Sequence, residues 1–347
     1  MDKPLGVGLV GLGRFGRFQL AAYAALPEVR VVAVCDPAIS PEGLSSPVKA
    51  YTDCARLLAD PEVDIVVIST PPFLHARMAQ EAAQAGKHVL VEKPLALNLQ
   101  EAEQAVETAK RAGVHLTVDY VLRHHPLYRL AFQVLQSGLL GELHLFCLTN
   151  LVTDEGLPHK HWFWDTGQSG GIHVEHGVHF FDLCNQLARG EPDFVQGYAL
   201  HRADGLLDRV GAVVQYGQRM LGIFYHSFNR PRLIECTTVQ LGFTRGEIWV
   251  DGWIPERVVL TGLVHPGQTP LLHELFGKQV QVLDETAHGL KVRAEAAAPN
   301  RQGEYQRAIQ AVMRDLVAAI KTGKPPGITP EHALASLKVA LRASQGA

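Results

Sequence analysis

The chain has 347 residues, 47% of them hydrophobic and 19% charged, with a formal net charge of −3 when histidine is neutral. That length suits two domains rather than one ordinary core, and the balance is that of a globular protein. No lysine or arginine block gives nucleic acid an electrostatic foothold, and no apolar run is long enough to span a bilayer.

In chain order, Gly6–Val10 reads as a buried strand. Gly11-Leu12-Gly13-Arg14-Phe15-Gly16 follows and opens a helix over Arg17–Leu26. Strand, glycine turn and helix are the context a dinucleotide fingerprint requires. Gly11 allows the tight turn, Gly13 lets the backbone approach a pyrophosphate, and Gly16 lets helix and strand pack closely. The helix amino terminus supplies unpaired N–H groups for the phosphates, beside Arg14 and Phe15. A second strand, Val31–Cys35, ends at Asp36, 20 residues after Gly16, where a carboxylate binds ribose hydroxyls. Its charge repels a 2′-phosphate, which favours NAD over NADP.

The alternation continues through a strand at Val63–Ser69 and the stretch Thr70-Pro71-Pro72-Phe73-Leu74-His75. A helix over Ala76–Ala85 and a strand at His88–Val91 then lead to Glu92-Lys93-Pro94. A further helix, Leu99–Ala112, and a strand, His115–Tyr120, complete a pattern that predicts a doubly wound parallel sheet. A lysine at a strand's carboxyl end in such a fold sits where hydride transfer takes place. Pro94 restricts Lys93 to extended backbone and permits a cis peptide, which aims the ammonium into a crevice. Thr70, Pro71, His75, Glu92, Lys93 and Pro94 are therefore candidate cofactor contacts, with ordinary loop structure the alternative for His75.

After Arg123-His124-His125-Pro126 the character changes. A helix over Leu127–Ser137 is followed by strand-like stretches near 142–150, 194–201, 209–216, 220–228, 233–241, 246–251 and 257–262, then helices at Glu304–Lys321 and Pro330–Ser344. The expected architecture is a Rossmann domain over 1–122 and an α+β domain over 123–347 with a large, mostly antiparallel open sheet. The last helix is a candidate to pack back on the Rossmann domain. Few helices remain to cover the second face of that sheet, which points to a homodimer or homotetramer formed through it. Five scattered cysteines, with no Cys-x-x-Cys pair, and a start that runs from Met1-Asp2-Lys3-Pro4 straight into a strand point to a reducing cytoplasm.

One segment of this half carries chemistry: Ser169-Gly170-Gly171-Ile172-His173-Val174-Glu175-His176-Gly177-Val178-His179-Phe180-Phe181-Asp182. On an α-helix Glu175 and His179 share a face, with Asp182 one turn later. A carboxylate beside an imidazole orients it and tunes it as a general base near neutral pH. A satisfied polar pair on a helix is the competing reading. His173, Glu175, His176 and His179 also raise the alternative of a metal site, although the order Glu-His-x-x-His is not the zincin motif. His159-Lys160-His161-Trp162-Phe163-Trp164-Asp165 is suited to a substrate wall, or to a subunit contact rich in aromatics. Tyr120, Arg123, His161, Trp164, His176 and Asp182 are candidate substrate contacts.

Taken together, GLGRFG, VCDP, STPPFLHA, GKHVLVEKPLA, GLLGEL and GGIHVEHGVHFFD resemble the glucose–fructose oxidoreductase, inositol dehydrogenase and MocA family over nearly the whole chain. The resemblance implies a nicotinamide cofactor, a sugar, polyol or inositol substrate, and Lys93 and His179 flanking the reacting carbon, with Glu175 as the partner of His179. The family pattern has aspartate four residues before that histidine, where this chain has Glu175, and small or apolar residues where it has His173 and His176. Three other activities stay open at this level: redox-neutral chemistry on tightly held NAD, metal-assisted catalysis by the histidine cluster, and non-catalytic NAD sensing.

Overall fold

The computed structural model describes residues 3–38 and 48–346. Six short apolar runs form a parallel sheet: β1 Leu5–Val10, β2 Val29–Cys35, β3 Lys49–Tyr51, β4 Ile65–Ile68, β5 His88–Val91 and β6 Leu116–Val118. Their order is β3-β2-β1-β4-β5-β6, the doubly wound arrangement whose switch point lies between β1 and β4. Continuous burial along β1, β4 and β5 explains why these runs carry no polar alternation: helices cover both faces.

Backbone bonds extend the ladder past the strand ends. Gly11 N–H donates to Cys35 O, Ser69 N–H to Val10 O, Glu92 N–H to Ile68 O and Asp119 N–H to Val91 O. The glycine turn and the first residues beyond β4, β5 and β6 are thereby fixed along one edge. The first helix runs Arg14–Ala24, starting three residues earlier than expected, because Gly13 adopts extended backbone and acts as its N-cap. Lys93–Pro94 is cis.

Nine strands form the other sheet: β7 Leu143–Val152, β8 Phe194–His201, β9 Leu207–Tyr216, β10 Met220–Phe228, β11 Cys236–Phe243, β12 Gly246–Asp251, β13 Arg257–Val264, β14 Val280–Thr286 and β15 Gly289–Ala297. The order is β14-β15-β13-β12-β11-β7-β10-β9-β8, antiparallel except where β10 meets β7. One face is apolar and covered. Phe181 on the helix Val178–Ala188 packs 4.6 Å from Phe224 of β10, and Phe224 lies 5.3 Å from Phe146 of β7. The opposite face presents Phe194, Tyr198, Leu200, Leu221, Ile223, Tyr225 and Trp249, all exposed.

β14, β15, β3 and the helices Cys54–Leu58 and Thr269–Phe276 were not expected from sequence. β14 is an edge strand with little apolar burial, and β3 has only three residues, so neither imposes a strong pattern. β15 does alternate, burying Val292 and Ala294.

The chain divides into two compact units. One comprises 1–121, 165–178 and 306–338, and the other 122–164, 179–305 and 339–347. In the first unit the segment 306–338 packs on the parallel sheet. Gln310 donates to Ala22 O at 2.9 Å and Thr117 to Ile328 O at 2.8 Å. The last helix, Pro330–Gln345, contributes to both units, and its end lies against β8 at Gly197. Among the described residues no helix is long and apolar enough to cross a membrane.

Candidate active site

The cofactor-binding edge starts at the glycine turn. Gly11 has φ +93°, and a Cβ there would stand 2.6 Å from Ser69 O; a Cβ on Gly16 would stand 2.0 Å from Gly11 O. Those two glycines are demanded by the fold itself. Gly13 is different: a Cβ there would meet nothing within 4 Å. It is exposed, heads a helix with no side-chain cap and has no acidic residue in its first turn. Open space in front of unpaired helix N–H groups fits a dinucleotide pyrophosphate. Asp36 completes the fit. Its Oδ2 accepts from Leu12 N–H at 2.8 Å and its Oδ1 from Ala38 N–H at 2.9 Å, so the carboxylate is pinned beside the glycine turn where a ribose is read. Arg14 is exposed and Phe15 half-buried on the same helix start.

Lys93 stands one residue past Glu92 at the end of β5. Its Nζ donates to Glu175 Oε1 at 2.8 Å and to Glu175 O at 2.6 Å. Burial by itself raises the Glu175 carboxyl, but Lys93 and His176 outweigh it and hold the group below the ordinary value of 4.5. The Glu175 carboxylate is the counter-ion of Lys93. His173–Gly177 form a π-helical turn before the α-helix Val178–Ala188, so this stretch is not the regular α-helix expected from sequence. Burial also takes the His176 imidazole down to about 4; Glu175 opposes this and Lys93 reinforces it, leaving the ring neutral at pH 7.

His75 is 1% exposed, and both ring nitrogens are occupied: Nδ1 lies 2.7 Å from Pro94 O and Nε2 2.8 Å from Thr70 O. It therefore braces the loop after β4 against the Glu92-Lys93-Pro94 turn. Burial pushes its pKa down against the pull of both carbonyls, and a neutral ring donates to only one of them. Thr70 and Pro71 lie partly exposed at the same edge. Tyr120, expected as a substrate contact, is 1% exposed.

In the second unit His179 is 5% exposed, with the Trp253 ring edge-on at 4.9 Å. Arg123 and Asp182, expected as substrate contacts, form a fork: Nε to Oδ2 at 2.6 Å and Nη2 to Oδ1 at 2.7 Å, with side chains 6% and 1% exposed. Two charge-assisted hydrogen bonds join this buried pair, an arrangement that supports the fold. The aromatic segment folds into a turn at Trp162–Trp164. His161 Nδ1 accepts from Phe163 N–H at 3.2 Å, and Trp164 Nε1 donates to Leu157 O at 3.0 Å. Arg202 lies over the Trp164 ring, 5.8 Å from its centroid, and pairs with Asp154 at 2.7 Å and the fully buried Asp208 at 3.1 Å. Both His161 and Trp164 keep partial exposure.

Among the described residues, no three His, Cys, Asp or Glu side chains converge as a metal ion requires, which applies equally to His173, Glu175, His176 and His179.

Sequence reading missed Gln19, Asp119 and Trp253. Gln19 is fully buried on the helix face that also buries Ala22 and Tyr23, so a polar residue at apolar spacing was the available signal. Asp119, one residue past β6, is the counterpart of Asp36 past β2. Trp253, in the turn after β12, carries no comparable signal.

Two family models match. Residues 5–120 fit the Gfo/Idh/MocA oxidoreductase family with its NAD-binding Rossmann fold, and residues 128–248 fit the Gfo/Idh/MocA C-terminal domain. The rhizopine catabolism protein MocA of Rhizobium meliloti is 28% identical over 98% of this chain and 94% of its own length. An NAD⁺-dependent scyllo-inositol 2-dehydrogenase of Bacillus subtilis is 29% identical over 62% of this chain and 63% of its own, less than two thirds of that enzyme. Among solved structures, a levoglucosan dehydrogenase in complex with NADH superposes with a TM-score of 0.80 at 20% identity, covering 99% of this chain and 98% of that one, a likeness of fold. A glycine turn open at Gly13, a pinned Asp36 and matches to both family domains agree: the chain belongs to the Gfo/Idh/MocA family of NAD-binding oxidoreductases.

Proposed function

We propose that this oxidoreductase is an NAD-dependent dehydrogenase acting on a secondary hydroxyl of a sugar, polyol or inositol. The observation that carries the reading is the Lys93 ammonium, fixed by Glu175 immediately past the end of β5 in a dinucleotide-binding sheet. Bound NAD supplies the hydride acceptor at nicotinamide C4. Lys93 holds the substrate oxygen and stabilises charge that develops on it. His179 takes the hydroxyl proton, a general-base contribution of about 10²–10⁴-fold. Glu175 orients Lys93. His161 and Trp164 serve as a substrate wall, a ring face suiting the apolar side of a sugar.

The compartment that fits five free cysteines is a reducing cytoplasm. The exposed apolar face of the nine-stranded sheet suits a second copy of the chain, giving a homodimer or homotetramer. Along it Tyr198, Leu221, Ile223, Tyr225 and Trp249 present uncharged rings and branched side chains over neighbouring strands.

The test is initial rates of NAD reduction over a panel of inositols, sugars and sugar acids. A rate confined to one stereochemical group, lowered 10²-fold or more in His179→Ala with NAD affinity retained, is the expected result. No reduction of NAD across the panel by folded, NAD-loaded protein would overturn the net-dehydrogenase reading.

A further inference from the structure

Behind Lys93 lies a buried polar unit that the proposed chemistry does not use. Gln19 Nε2 donates to Glu92 Oε1 at 2.7 Å and to Asp119 Oδ2 at 3.0 Å, while its Oε1 accepts from Ser69 Oγ at 2.9 Å. One fully buried amide on the first helix thus ties together the residues that follow β4, β5 and β6. Asp119 is 1% exposed and Glu92 is partly buried. Two carboxyls converging on one amide away from water cannot both carry charge without strong repulsion.

We propose that Gln19, Glu92 and Asp119 are positioning residues for Lys93, the two carboxyls sharing one proton and so holding the backbone on which Lys93 stands. The inference rests on the dehydrogenase reading only for its effect on rate. Its direction agrees with the electrostatics. Burial first, then the Asp119 charge, raises Glu92, and burial raises Asp119 to about 6, the direction that two carboxyls sharing a proton require. The charged group acting on both carboxyls is Lys93. Lys93 is paired with Glu175, on which His176 and His75 act in turn. The first helix presents Gln19 and the end of β4 presents Ser69, both uncharged.

When the shared proton is lost, two adjacent carboxylates repel and release Glu92, and with it Lys93. The pair titrates as a unit, in two steps that belong to neither residue alone.

The experiment labels aspartate with ¹³C at Cγ and methylates lysines reductively with ¹³C in the full-length protein. Asp119→Asn and Lys93→Arg assign the two signals. In the wild type the Asp119 signal should move in two steps, the first near pH 6, and the Lys93 methyl signal should move with the second. Glu92→Gln should collapse the Asp119 titration to one step, and both Glu92→Gln and Asp119→Asn should abolish the coupled movement of Lys93. Glu92→Gln and Asp119→Asn keep the side chain's size and one oxygen to accept from Gln19, so loss of fold is not the expected cause.

A single Asp119 step near its ordinary value, unchanged by Glu92→Gln, would overturn the shared proton. A Lys93 signal indifferent to both substitutions would overturn the positioning role. Neither readout needs turnover, so an inactive protein would count against the dehydrogenase and leave this result standing. With activity in hand, the alkaline limb of kcat/KM should shift by at least one pH unit in Asp119→Asn, and an identical limb would refute the link to rate.

Discussion

Replacing Glu175 by glutamine keeps the shape of the side chain and removes the charge facing Lys93. The pair is separated by 2.8 Å, with side chains 13% and 14% exposed. At an effective dielectric constant of about 20, two unit charges at that distance attract by roughly 6 kcal/mol. Desolvation takes back a large share, and removing one partner of a buried pair costs about 3–5 kcal/mol. Lys93 keeps its bond to the Glu175 carbonyl at 2.6 Å, which places the loss near the lower end, about 3 kcal/mol. For units of this size that corresponds to a fall in melting midpoint of roughly 6–12 °C. The pH dependence supplies the sharper check. The Glu175 carboxyl lies below its ordinary 4.5 in the folded chain, so its contribution is present above about 4.5 and is lost as pH falls through the folded value. Thermal unfolding of wild type and Glu175→Gln, followed by calorimetry from pH 7 downward, should show midpoints well apart at pH 7 and converging in acid. A gap that stays constant with pH would refute the ion pair as its source. Turnover should fall at least tenfold with NAD affinity within a few-fold of wild type, because the substitution acts on the orientation of Lys93 and not on the glycine turn.

Gly13→Ala and Gly16→Ala should separate binding from folding. The first places a methyl in open space and should weaken NAD tenfold or more, with the melting point nearly unchanged. The second meets Gly11 O at 2.0 Å and should cost about 1–3 kcal/mol of stability, both read by thermal melts and NAD titration. Asp182→Asn leaves the buried Arg123 without its counter-charge and should destabilise by about 3–5 kcal/mol in a denaturant melt, whereas a merely catalytic defect would contradict the structural role given to that fork. Ile223→Glu, on the exposed face of β10, should lower the mass measured by light scattering, and an unchanged mass would remove that face as the subunit contact.

The division between what sequence and tertiary structure each decide follows from the range of the interactions involved. Glycines before a helix, a carboxylate past β2 and a lysine past β5 are set by local backbone geometry and by strand and helix periods, so the parallel sheet, its cofactor edge and most of the antiparallel strands were legible in the chain alone. The weakly apolar β14 and the three-residue β3 escaped because little burial leaves little pattern.

Pairings across long stretches of chain were not legible. Glu175 reads as a helical neighbour of His179, and its pairing with Lys93, 82 residues away in sequence, becomes visible only in the fold. Arg123 and Asp182 read as separate candidate substrate contacts, their pairing with one another unseen, and Asp119 becomes visible only through Gln19, 100 residues distant. Residue type and local period determined which groups this protein has available for chemistry. Only the packed fold decided which charge each of them faces, because a partner is chosen by proximity in space and by exclusion of water, neither of which is written in the order of residues.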